Sequence, residues 1–257
     1  GPSFTVSTAC SSGGDAINTA CMCMQSGKAD IMLAVGAESV LCPLVIYSLA
    51  NAKALSRRND SPSTASRPFD VTRDGFVIGE GGGALVLETE EHALARGAKI
   101  YAEIRGCGNT DDAYHVTAPH PEGRGAIACM KQAIAEAGIN PSDVGYINAH
   151  GTATNKGDTV ETSSIKKVFG NTLPYVSSTK GATGHMMGAG GITETITCVK
   201  AIETGTVPPT INLNEVDPEC AGIDFVANVA KKAEVKYAMS NALGFGGQNS
   251  SIIVGKY

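Results

Sequence analysis

One cysteine, Cys10, stands where a thiol could act as a nucleophile. It follows an extended, β-forming run, residues 3–9, and precedes a predicted helix that Ser11 and Ser12 would cap. The free N–H groups and the dipole of a helix N-terminus favour a thiolate, and the small residues after Cys10 leave a substrate room to approach. We therefore expect a nucleophilic thiol of lowered pKa; the alternative is a buried structural cysteine.

Two of the five histidines lie where a site could form. His150 follows a predicted strand, residues 146–149, at the end where α/β folds place their ligands. His185 lies in a glycine-rich segment that leads into a predicted helix. A metal site built from Cys10 and these histidines is the alternative, but no ligand spacing typical of zinc occurs. We therefore set metal catalysis aside.

The composition is that of a globular protein. The 257 residues are 42% hydrophobic and 18% charged, with a net charge of −5. No apolar run is long enough for a membrane helix and no stretch is basic enough to follow a phosphate backbone, so we expect neither a membrane nor a nucleic-acid partner. The eight cysteines form no C-x-x-C pair and no secretory segment opens the chain. This favours free thiols in the cytoplasm, or in an organelle matrix in a eukaryote.

Strand-like and helix-like segments alternate, which is typical of an α/β fold with a largely parallel, buried sheet. The continuous apolar run 31–36 predicts a strand covered on both faces. Helical periodicity predicts three helices that end at Gly27, Gly138 and Gly205. The polar stretch 57–75 shows no periodicity and predicts a long loop.

A weak internal repeat suggests two copies of one α/β unit. Residues 6–10 are similar to residues 176–180, and the glycine-rich turn at Gly79 is similar to the turn at Gly244, at nearly the same offset. We expect residues 1–97 to be the first unit, which carries the nucleophile and lacks its beginning. Residues 98–257 would be a complete second unit that carries both histidines. Because the chain does not begin with Met, we expect a piece of a longer chain that is inactive in isolation.

Four segments together resemble the signature blocks of elongating β-ketoacyl-[acyl carrier protein] synthases of the synthase II type. They are residues 8–13, residues 150–154 with Asp158, residues 180–185 and residues 244–249. The resemblance covers the whole chain. It implies a thiolase-like fold, a layered α-β-α-β-α arrangement of two similar halves, with the first half incomplete at its N-terminus.

The resemblance implies a decarboxylative Claisen condensation of an acyl thioester with malonyl-[acyl carrier protein], which elongates the chain in fatty acid biosynthesis. Cys10 would take the acyl group as a thioester, and the backbone N–H groups of Cys10 and Phe245 would form the oxyanion hole. Phe245 and Gly246 would also gate the site. The neutral imidazoles of His150 and His185 would stabilise the enolate that forms when CO₂ leaves.

Supporting residues follow from the same resemblance. Lys180 and Glu194 would be a charged pair that orients His185, and the hydroxyls of Thr152 and Thr154 would hold the pantetheine arm. No organic cofactor is implied. A structural monovalent cation, Na⁺ or K⁺, would lie among the side chains of Asn148, Glu194, Ser240 and Asn241.

The partners implied are acyl carrier protein, acyl and malonyl thioesters, and a second copy in a homodimer. The basic residues Lys53, Arg57 and Arg58 could meet an acidic carrier protein; the alternative is an ordinary solvated surface.

Related enzyme classes fit less well. A thiolase would need a second cysteine near the C-terminus, but none follows Cys220. An initiating synthase pairs one histidine with an asparagine, where this chain has His185. Two alternatives stay open. One is a ketosynthase domain of a polyketide synthase, and the other is a non-catalytic chain-length partner, in which the nucleophile is replaced.

Overall fold

In the computed structural model, which describes residues 1–257, nine strands form one large sheet and two small ones. The strands are β1 (Ile31–Glu38), β2 (Gly81–Glu88), β3 (Glu103–Asp111), β4 (Val144–Asn148), β5 (Tyr175–Ser177), β6 (Thr206–Val207), β7 (Lys231–Lys232), β8 (Tyr237–Leu243) and β9 (Gln248–Gly255). The large sheet has the order β3-β9-β8-β4-β5, while β1 pairs with β2 and β6 pairs with β7. The large sheet is mixed, because β4 is parallel to β5 and β8 but β9 is antiparallel to β3 and β8.

The sheet is therefore less parallel than the alternation of elements predicts. The reason is local: β8 and β9 are joined directly by the short turn at residues 244–247, and a turn of that length can only return the chain antiparallel. Residues 3–9 also differ from expectation. They form no strand, and only an isolated bridge joins Thr8 to Cys10.

The helices are α1 (Ser12–Gln25), α2 (Pro43–Asn51), α3 (Glu90–Ala95), α4 (Arg124–Ala137), α5 (Asn155–Phe169), α6 (Lys180–Thr183) and α7 (Gly190–Thr204). The three predicted helices are α1, α4 and α7, and the glycines at their ends have the positive φ that stops a helix: Gly27 +70°, Gly138 +65° and Gly205 +59°. The predicted loop 57–75 contains only a short 3₁₀ turn, Pro62–Thr64. None of the helices has the length and apolar character that a membrane span requires.

Two buried cores lie on opposite faces of the large sheet. Ile147 and Met239 pack with residues of α4 and α5, whereas the preceding residues, Tyr146 and Ala238, pack with α1 and α7 on the other face. The α1–α7 layer lies in turn against β1 and β2. The order of layers is thus α4/α5, large sheet, α1/α7, small sheet β1–β2.

β1 is covered on one face only. Ala34 and Gly36 are buried, but the alternate residues Ile31, Leu33 and Val35 are 47%, 62% and 53% exposed. The prediction of a strand buried on both faces is therefore wrong. The helices α1 and α7 pack against β1 and β2, while the side chains of Ile31, Leu33 and Val35 stay exposed.

Glycines let α1 and α7 approach each other at backbone distance. A Cβ atom at Gly191 would lie 2.4 Å from the nitrogen of Gly14, and one at Gly13 would lie 2.7 Å from the nitrogen of Ile192. Both contacts are too short for any side chain. This close approach brings Cys10, two residues before α1, next to the segment before α7, which carries His185.

Candidate active site

Cys10, His150 and His185 meet in one buried cluster. The Sγ atom of Cys10 lies 3.0 Å from Nε2 of His185, although 175 positions separate the two residues. The two imidazole rings meet edge to face with their centroids 5.2 Å apart. One donor atom from each of the three residues lies within 4.8 Å of the others, and each residue is at most 8% exposed. The three residues predicted from the sequence thus form a single site.

Each histidine is fixed by its backbone. The N–H of His150 donates to Oε1 of Glu161 and the N–H of Gly151 donates to Oε2, both at 2.8 Å. The N–H of His185 donates to the carbonyl of Val77 at 2.7 Å, and its carbonyl accepts from Gly79 at 2.9 Å. His150 is therefore anchored to α5, and His185 is anchored to the extended segment before β2.

Burial sets the protonation of the site. It raises the pKa of Cys10 to about 11, although the N–H of Phe245 and the charge of Lys180 act in the opposite direction. Burial, and then the charge of Lys180, holds the pKa of His150 and of His185 well below the usual range. The resting site at neutral pH is therefore a thiol beside neutral imidazoles. The expected lowering of the Cys10 pKa is wrong, because desolvation outweighs the local helix terminus.

Lys180 and Glu194 form a buried ion pair beside this cluster, with side chains 2% and 5% exposed. Neither residue makes a hydrogen bond to His185. The ring of His185 packs instead edge-on against Phe76, with centroids 5.2 Å apart. Contact with Phe76 and the backbone pairing therefore orient His185, and the ion pair acts on it through the charge of Lys180.

The backbone N–H groups of Phe245 and of Cys10 itself favour the thiolate and so act to lower the pKa of Cys10. Phe245 lies in the turn between β8 and β9, where Gly246 and Gly247 have φ values of +93° and +96°. The N–H of Gly246 donates to the carbonyl of Val116 at 2.7 Å. The turn thus places Phe245 beside Cys10 in one cavity lining and is tied to the loop that contains Val116.

A cavity of about 270 Å³ opens onto the cluster. Its lining includes Cys10, His150, His185, Thr152, Thr154 and Phe245. The hydroxyls of Thr152 and Thr154 lie 3.0 Å apart. Thr152 and Thr154 therefore lie on the wall of the cavity that Cys10 also lines.

Three of the four side chains suggested for a cation fit such a group. Asn148 and Ser240 are register neighbours on β4 and β8, on the face that α7 covers with Glu194. Oδ1 of Asn148 and Oε2 of Glu194 are buried without a hydrogen-bond partner, and such oxygens suit a hard cation. Asn241 faces the other side of the sheet, where its Oδ1 accepts from Ser251 at 2.8 Å. Its side chain therefore departs from the expectation, since successive residues of a strand point to opposite faces.

Sequence reasoning missed two residues of the site, Glu161 and Phe76. Glu161 is 1% exposed, and burial raises the pKa of its carboxyl to about 7. It lies three residues after Asp158, whose carboxylate accepts from the backbone N–H groups of Phe69 and Ala153. Two acidic residues three positions apart soon after His150, which α5 places on one face, were a usable signal. Nothing in the sequence marked Phe76.

Comparison with known families gives a consistent result. A model described as the β-ketoacyl synthase N-terminal domain matches residues 1–93, and a model of the C-terminal domain matches residues 101–214. The 3-oxoacyl-[acyl-carrier-protein] synthase 2 of Rhizobium meliloti is 48% identical over 100% of this chain and 61% of its own length. The synthase 2 of Synechocystis is 49% identical over 100% of this chain and 62% of its own length. The chain thus spans less than two thirds of the length of these relatives.

Solved structures agree. The ketosynthase in a type II polyketide complex with its acyl-carrier protein matches with a TM-score of 0.96 and 39% identity, over 100% of this chain and 63% of that one. A β-ketoacyl synthase from Burkholderia phymatum matches with a TM-score of 0.94 and 40% identity, over 98% of this chain and 61% of that one. The thiolase-like α/β fold is confirmed. Since the two family models together match most of the chain and carry both parts of the site, the chain belongs to the β-ketoacyl synthase family.

Proposed function

We propose that the protein catalyses a decarboxylative Claisen condensation, in which an acyl thioester is lengthened by two carbons from malonyl-[acyl carrier protein] during fatty acid synthesis. The observation that carries the proposal is the cluster of Cys10, His150 and His185 on a cavity, with 3.0 Å between Sγ and Nε2 of His185. A thiol, two neutral imidazoles and two converging N–H groups are the parts that thioester chemistry of this kind requires.

The first step is acyl transfer to Cys10. Because the pKa of the thiol is about 11, it needs a base, and Nε2 of His185 is within reach to accept its proton. The sulfur attacks the carbonyl carbon of the acyl thioester, and the negative oxygen lies against the N–H groups of Cys10 and Phe245. The C–S bond to the carrier breaks, and its thiolate takes the proton back from His185. The thiol of Cys10 is consumed, the thiol of the carrier is released, and the imidazole of His185 returns to its neutral form.

The second step lengthens the acyl group. The malonyl thioester loses CO₂, and the electron pair of the broken C–C bond forms an enolate. The enolate oxygen accepts hydrogen bonds from the N–H groups of His150 and of His185, whose ring carries its proton on Nε2 at this step. The enolate carbon then attacks the carbonyl of the acyl-Cys10 thioester. The bond to Sγ breaks, Cys10 recovers a proton from the medium, and the carrier holds a β-ketoacyl group.

A monovalent cation, Na⁺ or K⁺, forms part of the proposal. Asn148, Glu194 and Ser240 would hold it through oxygen atoms, and Glu194 also binds Lys180. Its contribution would be structural, since it would neutralise charge next to a buried carboxylate.

Acyl carrier protein is the proposed partner. The names of the synthase 2 relatives include the acyl carrier protein. The structure of the polyketide ketosynthase of the same fold was solved in complex with its own acyl carrier protein. The hydroxyls of Thr152 and Thr154, on the cavity wall, would hold the pantetheine arm. A homodimer and a cytoplasmic location complete the proposal and rest on the family; a relative from Arabidopsis thaliana is named chloroplastic.

The two alternatives fit less well. A polyketide ketosynthase shares the fold at 39% identity, whereas the 3-oxoacyl-[acyl-carrier-protein] synthase 2 relatives are 48–49% identical. A non-catalytic chain-length partner would not need Cys10 hydrogen-bonded to a neutral histidine.

Mass spectrometry of the intact protein after incubation with an acyl-[acyl carrier protein] tests the proposal. We expect one acyl group on Cys10, none in the Cys10→Ala variant, and normal acylation in the Cys42→Ala variant, since Cys42 is an exposed free thiol away from the cavity. Addition of malonyl-[acyl carrier protein] should then release a product two carbons longer. Acylation at another cysteine, or none, would contradict the proposal.

A further inference from the structure

Asp15 is a buried acidic residue to which the proposed chemistry gives no role. It lies in the first turn of α1 and is 4% exposed. No lysine, arginine or histidine forms an ion pair with it. A carboxylate buried in this way needs hydrogen-bond donors, and the identity of these donors is informative.

The donors to Asp15 come from both sides of the nucleophile. Oγ1 of Thr8 donates to Oδ2 at 2.5 Å, and Oγ of Ser11 lies 3.1 Å from the same oxygen. Nδ2 of Asn109, on β3, donates to Oδ1 at 2.6 Å. One carboxylate therefore joins the residues that flank Cys10 to the edge strand of the large sheet.

The segment that Asp15 binds needs such support. Ala9 has a φ of +51°, in the left-handed region that a residue with a Cβ atom rarely adopts. Strained conformations of this kind persist only where surrounding contacts determine them. The contacts of Asp15 to Thr8 and Ser11 bracket Ala9 and Cys10, so they oppose relaxation of the strained residue.

A simple helix cap would look different. A capping carboxylate accepts from the free backbone N–H groups of the first turn. The oxygens of Asp15 instead accept from the hydroxyl of Thr8, from the side-chain amide of Asn109 and from the hydroxyl of Ser11, which the carbonyl of Thr8 shares at 2.8 Å. We propose that Asp15 is a positioning residue that holds Cys10 against His185 and the N–H of Phe245 by binding the residues on both sides of it. This inference rests on the proposed function for what Cys10 does, but not for how Cys10 is held.

Three variants of the intact protein test it. Asp15→Ala removes all three contacts, whereas Asp15→Asn keeps the shape and one acceptor oxygen. Thr19→Val is the matched control, because Oγ1 of Thr19 donates only to the backbone carbonyl of Asp15 and does not reach the Cys10 segment. Two rates are measured for each variant: acylation of Cys10 at saturating acyl-[acyl carrier protein], and alkylation of Cys10 by iodoacetamide from pH 6.5 to pH 9.

We expect Asp15→Ala to lower the maximal acylation rate at least tenfold with less than a twofold change in the substrate concentration for half-maximal rate. Alkylation at pH 8 should become at least fivefold faster, since a released Cys10 is less buried. Both rates of Asp15→Asn should lie between those of Asp15→Ala and the wild type, and both rates of Thr19→Val should match those of the wild type. Unchanged alkylation and acylation in Asp15→Ala would overturn the inference. If the wild type itself is not acylated, the proposed function fails, and the alkylation profiles alone decide the role of Asp15.

Discussion

Cys10 shows how a buried environment changes the reactivity that its sequence neighbours suggest. The helix terminus after Cys10 favours a thiolate, but the residue is 8% exposed and burial raises its pKa to about 11. The local signal singled out the cysteine that lies in the buried cluster, but it predicted the wrong direction for its pKa. In the proposed mechanism the reactivity of Cys10 depends on His185, whose position no local pattern could give, because 175 positions separate the two residues.

The raised pKa has a direct pH signature. Below a pKa of about 11 the thiolate fraction grows about tenfold per pH unit, so alkylation of Cys10 by iodoacetamide should rise steeply and without a plateau from pH 6.5 to pH 9. Quantitative peptide mapping at each pH measures this rate. A plateau near pH 7 would show that the thiol has a lowered pKa and would contradict the account of burial.

Lys180 should keep the histidines neutral in acid. Its charge is the second cause of the low pKa of His185, after burial, so Lys180→Met should let that pKa rise toward its ordinary value near 6.5. In the proposed mechanism, acylation of Cys10 needs a neutral His185 as base. The acid limb of the acylation pH profile should therefore move to higher pH in this variant.

The control for that profile is Lys200→Met. Lys200 is a solvent-exposed lysine on α7 whose partner, Glu203, lies on the surface. Its removal should leave the acid limb where the wild type has it. Identical profiles for all three proteins would rule out an electrostatic role for Lys180.

At the scale of elements, the helices were predictable and the sheets were less so. The ends of α1, α4 and α7 follow from glycines next to the last turn, which is a local property. Whether a strand is buried on one face or two depends on what packs against it, and this is not local. The apolar run of β1 predicts cover on both faces, yet Leu33 is 62% exposed.

The crossing of α1 and α7 should be sensitive to a single methyl group. A Cβ atom at Gly191 would lie 2.4 Å from the backbone nitrogen of Gly14, whereas one at Gly190 would meet nothing closer than 3.6 Å. We expect Gly191→Ala to lower the free energy of unfolding by about 1–3 kcal/mol, as overpacking does. Gly190→Ala is the matched control and should not be destabilised. Equal unfolding midpoints in denaturant for the two variants would contradict this packing.

At the scale of the whole molecule, the outer face of β1 and β2 is an apolar surface. Leu33 and Val86 are register partners and are 62% and 60% exposed. Surfaces of this kind promote association. The polypeptide of residues 1–257 on its own should therefore self-associate, and Leu33→Lys with Val86→Lys should reduce this. Leu94→Lys, at an exposed leucine outside the two strands, is the control. A sedimentation-velocity experiment that finds the unsubstituted polypeptide of residues 1–257 to be monomeric would contradict the expectation.

The site as a whole was predictable only through the combination of motifs. Each block by itself is a short run of small or polar residues, and no spacing rule links Cys10 to His150 or His185. Their resemblance to one family placed all three together, and the fold does so through the α1–α7 crossing. Contacts that run between blocks, such as Phe76 against His185 or the side chain of Asn241 toward Ser251, required the structure.

The central claim is that two neutral histidines stabilise an enolate next to an acylatable cysteine. The most direct measurement is the rate of CO₂ release from malonyl-[acyl carrier protein] by the intact protein and by His150→Ala, His185→Ala and Cys10→Ala. The decarboxylation rate of each histidine variant should fall by about 10²-fold or more, the usual scale for one lost oxyanion donor. Cys10→Ala should still release CO₂ but should make no elongated acyl product. Unchanged CO₂ release in both histidine variants would contradict the account.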